Sequence, residues 1–298
     1  MNIQSLSIVV PNKACINNCK FCVSRMRKDD YENKLDLAHI DLNGKMNYIA
    51  NDYLKRMEFA RDNGCNTVMI TGTSEPQQNK DFLSFFARAN SLLPSPFKCI
   101  EIQTTGAGLD KDYIYFMRNT LSLTTLSLSL SSLNDKQNKE YNGTSEANAV
   151  NIENICQMVR ETDINLRLSL NLTDYYNFIE SGSDISDMLE EIKTRFNPNQ
   201  ITFRVLYKSE GECPQNDWID EHGANFEVTR LIREYIQAKG RQLETLPFGT
   251  VKYSLDGIST VLDSDCMATK ATTDYKYLIL RPDCRLYSKW EDKGSLIF

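Results

Sequence analysis

Strand-like and helix-like stretches alternate through the first 208 residues, and this alternation constrains the fold more than any single residue does. Residues 6–10 form a short β-branched run ended by Pro11, and residues 67–71, 98–105, 124–131, 165–173 and 200–207 read as further strands. Between them, residues 46–63, 80–93, 110–119, 145–162 and 183–196 carry helical periodicity, with stop signals at Gly64 and at Pro94 and Pro96. Strands that recur about every 30 residues with helices between them predict βαβ units and a parallel sheet. Six such steps are too few for a closed eight-stranded barrel.

Parallel strands covered on both faces read as continuous apolar runs. These strands alternate instead. Leu126, Leu128 and Leu130 oppose Ser127, Ser129 and Ser131, and Leu166, Leu168, Leu170 and Leu172 oppose Asn165, Arg167, Ser169 and Asn171. Ile100 and Ile102 oppose Glu101, Gln103 and Thr105; Ile201, Phe203 and Val205 oppose Thr202 and Arg204. Period two places each set on one side of the sheet. The apolar sets then pack under helices and the polar sets line a concave cavity, because buried polar groups without partners are costly. An antiparallel sheet with one solvated face also gives this alternation, but the intervening helices argue against it.

The first strand leads into Cys15-Ile16-Asn17-Asn18-Cys19-Lys20-Phe21-Cys22, three cysteines in C-x3-C-x2-C spacing. Thiolates at this density favour zinc or an iron–sulfur cluster. A closed zinc site or an ordinary ferredoxin cluster takes four ligands, and here the local count is three. The chain has 298 residues, 41% hydrophobic and 25% charged, with a net charge of −6 and no basic block. That balance argues against a large nucleic-acid surface. No charged-then-apolar leader and no apolar run of membrane length stand out, so a cytoplasmic location without a membrane partner is the expectation. In that compartment nine cysteines read as ligands and buried thiols rather than disulfides, and two histidines make a histidine-rich metal site unlikely on composition.

The cysteine loop resembles the signature of the radical S-adenosylmethionine (SAM) superfamily, with Phe21 at its common aromatic position. The resemblance covers about residues 3–208 and implies an α/β fold, an open (β/α)6 partial barrel in residues 1–208 with a small α+β C-terminal extension in residues 209–298 that closes it. It implies that Cys15, Cys19 and Cys22 hold an oxygen-sensitive [4Fe–4S] cluster whose open iron takes SAM. It also implies an electron donor such as flavodoxin or ferredoxin. Gly72, Thr73, Ser74 and Glu75, followed by Pro76, match the family's glycine-rich turn with one residue more, and there Glu75 would hold the methionine ammonium. Ser129, Ser131 and Asn171 match positions that contact SAM ribose and carboxylate, and Arg204 suits a carboxylate or a substrate anion.

The last ninety residues read differently. Residues 221–239 predict one amphipathic helix, and residues 252–255, 258–262, 275–281 and 285–290 short strands, with turns at Asp256-Gly257 and Pro282-Asp283. The stretch from Cys266 to Tyr287 resembles a SPASM or twitch hairpin in which Cys284 stands at the turn glycine and a final cysteine is missing, so it implies a hairpin that has lost an auxiliary cluster. Cys65, Cys99 and Cys156 are expected as small core hydrophobes, while Cys213, Cys266 and Cys284 could bind something. Tyr287, Lys289 and Trp290 are expected near the open barrel end, against a substrate ring or acidic group, or simply in packing contacts. Gln103, Arg167, Arg281, Arg285, Tyr287 and Lys289 form the expected substrate set. Inward arginines need counter-charges, so a small nucleotide-like substrate is the first expectation, a peptide the second, and a zinc-stabilised or electron-carrying protein the non-enzymatic alternative.

Overall fold

The computed structural model describes residues 3–12, 14–26, 48–246, 249–263, 275–290 and 293–298. Cys266, His39 and most of the polar stretch at residues 23–45 fall outside these residues. Six parallel strands form the centre: β1 (Ile3–Val10), β2 (Thr67–Gly72), β3 (Cys99–Thr104), β4 (Thr125–Leu130), β5 (Asn165–Asn171) and β6 (Gln200–Arg204). The helices between them are α1 (Tyr48–Asp62), α2 (Lys80–Leu92), α3 (Lys111–Asn119), α4 (Asp135–Asn142), α5 (Ile152–Arg160) and α6 (Gly182–Arg195). After β6 come α7 (Pro214–His222), α8 (Phe226–Lys239), β7 (Arg241–Thr245), β8 (Val251–Leu255), β9 (Ile258–Asp263), β10 (Tyr275–Leu280) and β11 (Leu286–Tyr287).

Among the described residues eleven strands form one sheet, in the order β11-β10-β1-β2-β3-β4-β5-β6-β9-β8-β7. The late segment thus extends both edges of the parallel sheet. β10 runs parallel to β1 and β9 parallel to β6, while β11, β8 and β7 add antiparallel pairs.

The predicted alternation holds. Leu126, Leu128, Leu130, Leu166, Leu168 and Leu170 are fully buried in the main core with Ile100, Ile102 and Phe203. Register aligns Ser127 with Arg167 and Ser129 with Ser169 on the other face. Side-chain oxygens start the helices: Asn79, Asp110, Asn134 and Asn151 accept from Phe82, Tyr113, Gln137 and Asn154 amides. Ser181 and Asp184 form a capping box on α6.

Several local expectations change. The helix predicted at residues 145–162 is shorter, because residues 146–148 form a 3-10 turn before Asn151 caps α5. The helix predicted at residues 221–239 starts later, at Phe226, and a separate helix, α7, precedes it. Gly223 ends α7, where a Cβ would stand 2.6 Å from the Ile219 carbonyl oxygen, and Gly223 forms a bridge with Thr173. β6 stops at Arg204, short of Tyr207. The strand predicted at residues 285–290 keeps only two residues. Cys65 and Cys156 are buried as expected, but Cys99, at the start of β3, is exposed.

Candidate functional site

Chemistry-bearing side chains gather at the carboxyl ends of β1–β6, where parallel α/β sheets place their ligands. The thiols of Cys15, Cys19 and Cys22 face one cavity of about 170 Å3. Thr71 to Glu75 at the end of β2, Gln103, Thr104 and Thr105 at the end of β3, and Ser127, Ser129, Ser169 and Arg204 complete its wall.

The cysteine loop is tied down on several sides. The Asn18 and Lys20 amides donate to the Asn142 and Tyr141 carbonyls at the end of α4, at 3.0 and 3.1 Å. The approach is close enough that Gly143, at φ +54°, could not carry a Cβ, which would lie 2.5 Å from the Asn18 carbonyl oxygen. Phe21 does not line the cavity. Its ring packs 5.6 Å from that of Trp218 on α7, and Trp218 meets Tyr141 edge-on and stacks on His222. Asp174 accepts from Tyr141 Oη and sits 2.9 Å from His222 Nδ1.

At the β2 turn, Gly72 lets β1 and β2 approach, since a Cβ there would be 3.2 Å from the Val10 carbonyl oxygen. Glu75 is buried, 6% exposed. Its carboxylate accepts from Asn17 Nδ2 (2.9 Å), Gln77 Nε2 (2.8 Å), Thr104 Oγ1 (2.6 Å), Thr105 Oγ1 (2.9 Å) and the Thr105 amide (3.1 Å). The oxygens expected to face a ligand ammonium are therefore engaged by donors of the protein.

The lumen arginines also have partners. Arg167 Nη1 donates to Glu101 Oε2 at 2.5 Å and its Nε to Gln200 at 2.8 Å, with Gln103 Nε2 3.4 Å from Glu101. Arg204 faces Asp263 of β9 across 3.9 Å. Asn171 donates to Ser129 (3.1 Å) and Ser131 (3.4 Å), while Ser131 is fully buried against Asn138 and Asn142 of α4. Three buried polar atoms of the cavity wall have no protein hydrogen-bond partner: Ser74 Oγ, Ser169 Oγ and Arg204 Nε.

The C-terminal residues of the expected substrate set sit elsewhere. Arg281 is buried; it donates to the Trp290 carbonyl and lies over the rings of Tyr287 and Trp290. Tyr287 is buried, its hydroxyl donating to Asp283 at 2.6 Å, and burial followed by this bond pushes its pKa up to about 12. Arg285 and Lys289 are exposed. None of the four lines the cavity.

The donor set fits a multi-iron cluster. Burial, reinforced by the nearby charges of Glu75 and Cys22, holds the Cys15 and Cys19 thiols above the usual range, so thiolates at both positions need a cation beside them. The unpartnered Ser74, Ser169 and Arg204 atoms then face the rest of a ligand. Sequence reasoning placed Thr105 and Ser169 on the polar face without assigning them to the site, and it missed Asn17, Thr104 and Trp218. For Thr104 the signal was its place at a strand end; for Trp218, in a helix absent from the reading, there was none.

No family model matches the chain, and no curated protein does. Solved structures do. Native anSMEcpe with bound AdoMet has 11% identity over 99% of this chain and 77% of its own, with a TM-score of 0.60. Native anSMEcpe with bound AdoMet and Cp18Cys peptide has 10% identity over 96% and 73%, with a TM-score of 0.58. HydG, a maturase of the [FeFe]-hydrogenase, has 13% identity over 90% and 58%, with a TM-score of 0.51. The chain thus has the fold of radical SAM enzymes.

Proposed function

We propose that this protein is a radical SAM enzyme whose Cys15, Cys19 and Cys22 hold one [4Fe–4S] cluster. The observation that carries this reading is the convergence of three thiols on one cavity at the strand ends of this fold, beside buried polar atoms without partners. When bound, the cluster would supply one electron that cleaves the SAM sulfonium into methionine and a 5′-deoxyadenosyl radical, which takes a hydrogen atom from the substrate. The chain's own residues orient the ligand. Arg204 suits the SAM carboxylate, and Ser74 the methionine end, through oxygen and nitrogen atoms otherwise left unsatisfied. Ser129, which accepts from Asn171 behind it, suits the ribose; Asn171 and Ser131 do not line the cavity.

The substrate reading shifts from the sequence expectation. The nucleotide argument rested on inward cations lacking partners. Arg167 is paired with Glu101, Arg204 faces Asp263, Arg281 lies over two rings, and Arg285 and Lys289 are exposed. A lumen with compensated charge favours a polar substrate of low net charge, such as a peptide segment, and the likeness to a peptide-bound structure over most of the chain supports that class. The nucleotide remains the second reading, supported by Arg204 Nε, which lies 3.9 Å from Asp263 and makes no hydrogen bond within the protein.

The test is anaerobic reconstitution followed by SAM and reductant. A brown protein that releases 5′-deoxyadenosine is expected; a colourless protein that binds zinc and leaves SAM intact would sink the reading. Peptide libraries and nucleoside triphosphates, each added to the turnover assay, decide the substrate class through increased 5′-deoxyadenosine formation.

A further inference from the structure

We infer that Asn17 and Glu75 form a buried clamp that seats the cysteine loop, so that Glu75 acts through Asn17 rather than by touching the ligand. This inference rests on the proposed cluster at Cys15, Cys19 and Cys22. An ionised carboxylate offers about four lone-pair sites. Glu75 already receives five donors, from Asn17, Gln77, Thr104 and the hydroxyl and amide of Thr105. No acceptor capacity is left for an ammonium, and any ligand reaching these oxygens would first have to break charge-assisted bonds.

The same geometry gives Glu75 another task. Asn17 lies between the first two cysteines and is 3% exposed. Its Nδ2 donates to Glu75 Oε1 and, at 2.8 Å, to Thr105 Oγ1; its Oδ1 accepts from Thr144 Oγ1 at 2.9 Å. Its amide points to the Cys15 sulfur at 3.4 Å. One side chain therefore fastens the cysteine loop to the ends of β2 and β3 and to the turn after α4. A buried polar network is rigid when its members are paired, as all the side-chain atoms of this network are apart from Gln77 Oε1, and removing one member leaves the others unsatisfied. Asn17 is a positioning residue for the three thiols, and Glu75 is its anchor. At the same turn, the buried Ser74 Oγ has no protein partner and is the atom left to meet a ligand.

The test compares Asn17→Ala, Glu75→Ala and the double variant after anaerobic reconstitution. Without SAM, Asn17→Ala should lose iron to a chelator roughly 10–100-fold faster than wild type, the factor expected from losing its charge-assisted bond to Glu75, and Glu75→Ala should lose it at least as fast. The double variant should be no worse than the poorer single, because both break one link. The signal of the reduced cluster in electron paramagnetic resonance should change shape in both. In the fraction that keeps its cluster, SAM affinity measured by calorimetry should stay within about threefold of wild type, a change below 1 kcal/mol. Should these variants fail to fold, Thr144 tests the far end of the clamp: Thr144→Ser should retain iron and Thr144→Val should release it faster. The clamp is overturned if Glu75→Ala keeps iron and signal like wild type while SAM affinity drops tenfold or more, or if Thr144→Val is indistinguishable from Thr144→Ser. A wild-type protein that takes up no iron overturns the functional reading and the clamp together, whereas failure of the clamp alone shows only in the variants.

Discussion

The inner wall of the sheet is built in two ways. Along β3–β6 it is polar, and its side chains answer one another across strands: Glu101 with Arg167, Arg167 with Gln200, Asn171 with Ser129. Along β10, β11 and the end of β1 it is mainly apolar, interrupted by the buried Ser5 and Ser7 of β1. Register sets Val9 level with Thr71 of the cavity wall, and the same side of the sheet carries Tyr277 and Ile279. With Tyr287 and partly buried Trp290 they form a cluster separate from the main core. Ile279 is fully buried there, so this half is filled by its own side chains. The difference teaches where a ligand can bind. Apolar groups satisfy each other by contact, and little is left over. Polar groups need directional partners, and those on the cavity wall without a hydrogen bond, at Ser74, Ser169 and Arg204, mark the ligand face, although Ser7 on β1 lacks one too.

The comparison predicts that the cluster depends on the cysteine loop and not on the apolar half. Replacing Cys15, Cys19 and Cys22 together by Ala should take bound iron from about four per chain to none. About eight irons in wild type, with half surviving the replacement, would place a second cluster in the C-terminal region and undo the distinction. Within the polar half, Glu101→Leu should destabilise by about 3 kcal/mol in denaturant titration, since it leaves the Arg167 charge uncompensated. The low end of the expected range applies because the Arg167 side chain is 26% exposed. Adding Arg167→Leu should recover much of the loss; a double variant worse than the single would show that the pair has a further partner. Gly143→Ala should come next. Left-handed backbone costs about 1–2 kcal/mol for a residue with a Cβ, and crowding the Asn18 carbonyl adds about 1–3 kcal/mol. Part of that strain should move the cysteine loop, read as faster iron loss to a chelator.

Much of this was legible in the residues, and the exceptions share a cause. The six central strands and the polar lumen face follow from period-two alternation, which the structure retains at Leu126 to Leu130 and Leu166 to Leu170. α4 was invisible because Asp135–Asn142 has almost no apolar stripe; the residues it buries are Asn138 and Asn142, which serve Ser131 rather than a core. Its ends were readable, at the Asn134 cap and Gly143. The joining of β10 to β1 and β9 to β6 could not be read locally, because pairing between strands far apart in sequence, as at Ile3 and Tyr275 or Gln200 and Ser259, leaves no spacing signal. In the site, residue types pointed to the right wall, but pairing decided which atoms are spent. Glu75, Arg167 and Arg204 all looked available in sequence, and only coordinates reveal Asn17, Glu101 and Asp263 beside them.

The smallest expected effect sharpens the other side of the comparison. Tyr287 belongs to the apolar cluster, yet its hydroxyl donates to Asp283 and its pKa is raised to about 12 by burial and by that bond. The neutral phenol is favoured in the folded state. Its stabilising contribution is complete below the unfolded value of about 10 and is lost as pH rises through the folded value. Tyr287→Phe should therefore cost about 1–2 kcal/mol at neutral pH, from the lost bond to a carboxylate. It should also flatten the fall in stability between about pH 10 and pH 12. Iron content and SAM affinity should stay at wild-type levels, because the residue lies outside the cavity. Thermal melts across that pH window and calorimetry with SAM check both halves of the expectation. Weaker SAM binding in Tyr287→Phe would mean that the apolar half reaches the ligand, and that the two walls act on it together.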